Sequence, residues 1–176
     1  EGYEVLLRQG GAMLVFLTAA YNFHKEGEKA AYVNTGAWSK AASKEAKLLG
    51  EVEVVASSEE SNFNHIPALG NINQPSLHIT TNNTIFGTQF KSMPQLNGGQ
   101  MLLADMSSDI FSQEINVADF DLIYAGPQTN MGPAGTAMYI VKTESLGKTG
   151  RAIPSYLDLN VHTKKDPIFK TPPALP

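Results

Sequence analysis

The groups able to do chemistry in this 176-residue chain gather where apolar runs end. Asp105 closes the run Met101-Leu102-Leu103-Ala104 and is followed by Ser107-Ser108. A carboxylate in that position is costly to bury unless backbone N–H donors cap it or a cation pairs with it, and both roles stay open. Leu122-Ile123-Tyr124 runs into Ala125-Gly126-Pro127, then Gln128-Thr129-Asn130, then Gly132-Pro133-Ala134-Gly135. A buried strand ending in small and polar residues is how an open α/β sheet presents a ligand site at its carboxyl edge. Gly10-Gly11, between a short apolar run and a helix, is either a tight turn or a cup of N–H groups for an anion. Thr81-Asn82-Asn83-Thr84 is either turn chemistry or a ligand wall. Trp38, the only tryptophan, serves as core or as a ligand platform.

Other chemistries find little support. The four histidines, His24, His65, His78 and His162, are scattered, and no two of them lie at helical metal spacing. Zero cysteines exclude disulfides, thiolate metal sites and a cysteine nucleophile. No nucleophile elbow of the Gly-x-Ser-x-Gly type is present, and the Walker and dinucleotide glycine motifs are absent. A net charge of −4 without a basic block gives no reason to expect nucleic acid or an anionic membrane. No apolar run is long enough to span a bilayer. With 42% hydrophobic and 17% charged residues, the chain is expected to be one soluble globular domain. No signal peptide is evident, which makes the cytoplasm the default location.

The elements that must position these groups follow from the pattern of apolar residues. Strands are expected at 3–7, 29–33, 52–56, 77–80, 101–104, 120–124 and 137–141. Helices are expected at 12–23, with Leu14, Phe16, Leu17, Ala20 and Tyr21 on its apolar face, and at 39–49, stopped by Gly50. Residues 66–73 read as loop, and the Pro-rich chain after Thr143 reads as loop crossing the surface. Strands alternating with helices or long connections predict an α/β fold with a mainly parallel, doubly wound sheet and flanking helices. A start on Glu1-Gly2 and an end soon after Pro172-Pro173 lead us to expect an interior piece of something longer.

Taken in order, QGGA (9–12), NTGAWSKAASKEAK (34–47), HITTNNTIFGTQF (78–90), LLADMSSDI (102–110), LIYAGPQTNMGPAG (122–135) and KTPPALP (170–176) resemble the phosphoserine aminotransferase family. The resemblance spans nearly the whole chain. It implies the large domain of a fold type I aminotransferase over 1–176, with pyridoxal 5'-phosphate (PLP) as cofactor. It also implies a homodimer with shared active sites, acting on glutamate and a small phosphorylated keto or amino acid. By that similarity Ala12 and Met13 offer N–H groups to the phosphate and Gln128 holds it. Trp38 stacks on the ring, Thr84 hydrogen-bonds the cofactor, and Asp105 pairs with the ring nitrogen. Lys170 and Thr171 match a pair that reaches into the neighbouring subunit's phosphate site.

Departures from the family fall on the same site. Thr129 stands where the family carries its Schiff-base lysine, and a hydroxyl can neither form that bond nor shuttle the proton near neutral pH. Met13, Val15, Phe86 and Lys170 replace a small or polar residue, a glutamine, an acid and an asparagine, respectively. The resemblance places an amino-terminal substrate-binding loop and a small C-terminal domain outside the chain. Three explanations of Thr129 stay open: an imperfect reading of an enzyme's sequence, a lysine replacement within a fragment, and a non-catalytic relative. As written, the chain is expected to hold PLP without a covalent link and to transaminate negligibly.

Overall fold

The computed structural model describes residues 1–164. Nine strands and three helices follow in chain order: β1 (Tyr3–Gln9), α1 (Ala12–Phe23), β2 (Ala30–Asn34), α2 (Ala37–Ala46), β3 (Val52–Ser57), β4 (Ser76–Thr80), β5 (Asn82–Asn83), β6 (Thr88–Gln89), β7 (Met101–Asp105), β8 (Leu122–Ala125), β9 (Thr136–Lys142) and α3 (Leu159–Thr163). Seven strands form one sheet in the order β1-β9-β8-β7-β4-β2-β3. Strand β9 runs antiparallel to both its neighbours, and the other pairings are parallel. This is the mainly parallel α/β sheet that the sequence pattern predicts. Strands β2 and β4 are buried along their whole length, as expected where both faces of a sheet are covered.

Along the central strands, side chains alternate between two cores, whereas β3 breaks the alternation where its register with β2 shifts. Tyr32, Leu103, Leu122, Tyr124 and Tyr139 face α1, α2 and α3, while Ala31, Leu77, Ile79, Leu102, Ala104 and Ile123 face irregular connections. Helix α1 has the predicted bounds but a wider buried surface than predicted. Val15, Phe16, Ala19, Ala20 and Phe23 are buried, whereas Leu14, Leu17 and Tyr21 are only partly covered. The reason is that α1 packs on the sheet and on α2 at once. Helix α2 starts at Ala37, two residues earlier than predicted, which puts Trp38 in its first turn.

The segment after Thr143 departs most from expectation. Within its described part it forms α3 and buries Leu146, Leu159 and His162. Long-range polar contacts hold it down. Asn22, buried in α1, donates to the Leu157 carbonyl at 2.7 Å and accepts the Leu159 N–H at 3.0 Å. Arg151 donates to the His24 carbonyl through Nε and Nη2, at 3.1 and 2.9 Å, and to the Leu49 carbonyl at 3.1 Å. One guanidinium thus satisfies carbonyls left open at the ends of both α1 and α2.

Arg8 is the opposite case. It is 4% exposed, its Nη2 is buried without an acceptor among the described residues, and its guanidinium lies 4.9 Å from the Tyr156 ring centre. Arg151→Met is therefore expected to lower stability by about 3 kcal/mol, because three charge-assisted bonds to carbonyls are lost. Arg8→Leu, which removes a poorly solvated cation, is expected to raise the urea midpoint. Equal midpoints for the two variants in urea denaturation would contradict this assignment.

Candidate active site

At the carboxyl ends of β4, β7 and β8 the chain encloses a cavity of about 180 Å³. It is lined by Ala12 and Phe16 of α1, Trp38 of α2, Thr80 and Asp105 at strand ends, and Gln128 and Thr129 in the turn after β8. Asn82, Thr84, Ile85, Ser107 and Ser108 complete the wall. A larger cavity, about 530 Å³, opens at the opposite edge of the sheet. Its charges are mixed, and some are tied down: Lys142 pairs with Glu144 at 2.6 Å, and Asp121 accepts the Leu102 N–H at 3.0 Å. Size does not decide between them. Only the smaller one combines a half-satisfied buried carboxylate with an open helix start.

Asp105 is 3% exposed at the end of β7. Its Oδ1 accepts the Ser107 N–H at 3.0 Å and the Ser107 hydroxyl at 2.6 Å, so capping accounts for that oxygen. The Ser107 hydroxyl in turn accepts the Gly126 N–H at 3.0 Å, which ties the turn after β8 to the carboxylate. Oδ2 receives no hydrogen bond from the described residues. Burial pushes the carboxyl up from its ordinary 3.8 to about 6, helped by the nearby Asp109 and opposed by the Ser107 donors. A group in this state gains from a cation placed against Oδ2.

The start of α1 supplies the complementary charge. No side chain caps it and no acid sits in its first turn, so the N–H groups of Ala12 and Met13 are free for an anion. Two glycines make this geometry. Gly10, at φ +131°, donates its N–H to the Gly135 carbonyl at 2.9 Å, and a Cβ there would come within 2.8 Å of Leu14. A Cβ on Gly126 would come within 2.8 Å of Gln128 Oε1 and 3.4 Å of the Ala12 nitrogen. A side chain at Gly126 would displace the Gln128 amide and press on Ala12, so glycine suits this close passage of the turn after β8 by the helix start.

Beneath Asp105 lies an aromatic floor between the sheet and α1. His78 of β4 stacks on Tyr32 with ring centres 4.7 Å apart, and its Nε2 lies 2.8 Å from the Tyr124 hydroxyl. Phe16 meets Tyr124 edge-on at 6.1 Å. Burial pushes the His78 imidazole down to about 3 and raises Tyr124, so the floor stays neutral in any ordinary buffer.

Of the residues singled out in the sequence, Ala12, Trp38, Thr84, Asp105, Gln128 and Thr129 line this one cavity. Met13 is not among the lining residues, and its side chain is 54% exposed. Lys170 and Thr171 lie outside the described residues. Asn82 comes from the stretch read as turn chemistry or a ligand wall, whereas Phe16, Thr80, Ile85, Ser107 and Ser108 were not anticipated as site residues. The signal for Thr80 was present: with His78 it is the polar half of an alternation against Leu77 and Ile79.

Fold and cavity together define a ligand-binding α/β domain with its site at the carboxyl edge of a mainly parallel sheet. Residues 1–157 match the family model described as Aminotransferase class-V, and the chain belongs to that family. Phosphoserine aminotransferase of Flavobacterium psychrophilum is 54% identical over 180 residues, which cover 100% of this chain and 49% of that protein. The solved phosphoserine aminotransferase from Bacillus circulans subsp. alkalophilus superimposes with a TM-score of 0.91 at 41% identity, covering 98% of this chain and 49% of that one. PLP-bound phosphoserine aminotransferase from Trichomonas vaginalis gives a TM-score of 0.87 at 28% identity, covering 98% and 50%. The chain thus spans about half the length of the relatives it matches.

The buried carboxyl has a measurable signature without any ligand. Its folded value, about 6, lies above that of an unfolded aspartate, so its burial costs nothing at low pH. Stability then falls as pH rises between about 4 and 6. Asp105→Asn is expected to remove that fall and to leave the ligand-free chain more stable by about 3 kcal/mol above pH 7. Urea midpoints of the two forms at pH 4 and pH 8 check it; an equal difference at both pH values would contradict it.

Proposed function

We propose that residues 1–176 are the cofactor-binding large domain of a phosphoserine aminotransferase, a PLP-dependent enzyme of serine biosynthesis acting in the cytoplasm. The observation that carries this is the pairing, in one cavity, of an anion-ready helix start with a half-satisfied buried carboxylate. PLP carries a phosphate for the first and a ring nitrogen for the second. The high identity to phosphoserine aminotransferases supports the same reading, with glutamate and 3-phosphohydroxypyruvate as the proposed substrates.

In this assignment the N–H groups of Ala12 and Met13, with Gln128, hold the phosphate. Trp38 covers the ring, Thr84 hydrogen-bonds it, and Asp105 keeps its nitrogen protonated. When bound, the protonated ring supplies the electron sink that amino transfer requires. The aromatic floor excludes water beneath Asp105 and strengthens its pairing with the nitrogen. Lys170 and Thr171 are assigned to a neighbouring subunit's phosphate site in a homodimer. A cavity of about 180 Å³ supports this, being smaller than the roughly 300–1,000 Å³ of complete small-molecule sites, so that further walls come from outside the described residues.

Thr129 favours a second reading, a non-catalytic PLP-binding or dimerisation module of the same fold. It lines the cavity, and no lysine among the described residues does. Titration with PLP is expected to quench Trp38 fluorescence, while borohydride leaves no phosphopyridoxyl label on residues 122–135. Thr129→Lys is expected to gain that label and a yellow colour. Wild-type chain without PLP affinity would contradict both readings, whereas a labelled residue 129 in the unaltered protein would exclude the non-catalytic one.

A further inference from the structure

Asp105 has a neighbour whose chemistry is unused. Thr80 ends β4 directly beside it, the two Cα atoms being register partners in the parallel pair β4–β7. Both side chains project to the helix side of the sheet, since Leu77, Ile79, Leu102 and Ala104 occupy the other face. Both line the same cavity. Thr80 is 2% exposed, and its Oγ1 is buried with no hydrogen-bond partner among the described residues. An orphan donor therefore sits on the strand next to that of an orphan acceptor, Asp105 Oδ2, the two backbones lying roughly 4.8 Å apart.

A carboxylate offers about four acceptor positions. Ser107 fills two of them, both on Oδ1. A ring N–H, on the PLP assignment above, fills a third, on Oδ2. We infer that Thr80 is a positioning residue for the cofactor: its hydroxyl turns about χ1 to fill the fourth position, fixing Oδ2 once the carboxylate is fully ionised. Valine has the same shape, favours strands and lacks the unpartnered hydroxyl, so packing alone gives threonine no advantage here. The hydroxyl is useful only when the neighbouring carboxylate carries its charge against a cation.

This rests on PLP binding in the cavity, and the test separates the two claims. PLP affinity is measured by Trp38 quenching for the unaltered chain, Thr80→Val and Thr80→Ser, alongside the urea midpoint of each without cofactor. The expected result is a dissociation constant raised about tenfold in Thr80→Val, with an unchanged or higher urea midpoint. Thr80→Ser, which keeps the hydroxyl, is expected to bind within about twofold of the unaltered chain. Equal affinity of Thr80→Val and the unaltered chain would overturn the inference and leave PLP binding standing. So would Thr80→Ser binding as weakly as Thr80→Val, since the methyl group and not the hydroxyl would then matter. An unaltered chain that does not bind PLP would overturn both.

Discussion

A carboxylate buried at the end of a parallel strand with one oxygen satisfied and the other bare is the constraint around which this domain is built. Burial holds Asp105 near 6, far from where a solvated aspartate rests. The chain spends three strand ends and a helix start on keeping it there. Ser107 fixes Oδ1, Gly126 fixes Ser107, and Gly126 also lets the turn after β8 lie against α1. The carboxylate and the open helix start are thereby linked through one short path of hydrogen bonds and close packing. A ligand that is cationic at one point and anionic at another fits this arrangement, whereas a neutral ligand leaves both charges unmet.

The aromatic floor gives this edge its rigidity. Tyr32, His78 and Tyr124 lie across three strands on the helix side, with α1 pressing Phe16 onto the last of them. Tyr124 is the register partner of Asp105, so the floor and the carboxylate cannot shift independently. With His78 held neutral, the floor brings no positive charge near Asp105 and leaves the pairing role to a ligand. Membership of the class-V aminotransferases accounts for why a fold would carry such a strained pair of unmet charges.

Much of this was legible in the sequence because the determinants are local. Strand ends marked by Asp105, Asn82-Asn83 and Gly126 place polar groups at one sheet edge once the strands are parallel. The bounds of α1 follow from Gly10-Gly11 and its apolar content. What was not legible depends on distant partners. Nothing near Arg151 in the sequence marks it as the tie to carbonyls more than a hundred residues earlier, and α3 exists because Asn22 and the sheet hold its start. Thr80 was legible only in part: the alternation with Leu77 and Ile79 sets its face, but its lack of a partner among the described residues, beside Asp105, emerges only from the fold. The outward turn of Met13 follows from its place in the first turn of α1, where the face toward the cavity belongs to Ala12 and Phe16.

The central claim is that Asp105 waits for a protonated ring nitrogen. The most direct measurement is the nitrogen chemical shift of PLP labelled with ¹⁵N in the ring, bound to this chain at a pH where the free cofactor has lost that proton. A shift at the protonated position, reverting to the deprotonated one in Asp105→Ala, is the result this account predicts. A bound nitrogen at the deprotonated position in the unaltered chain would contradict it.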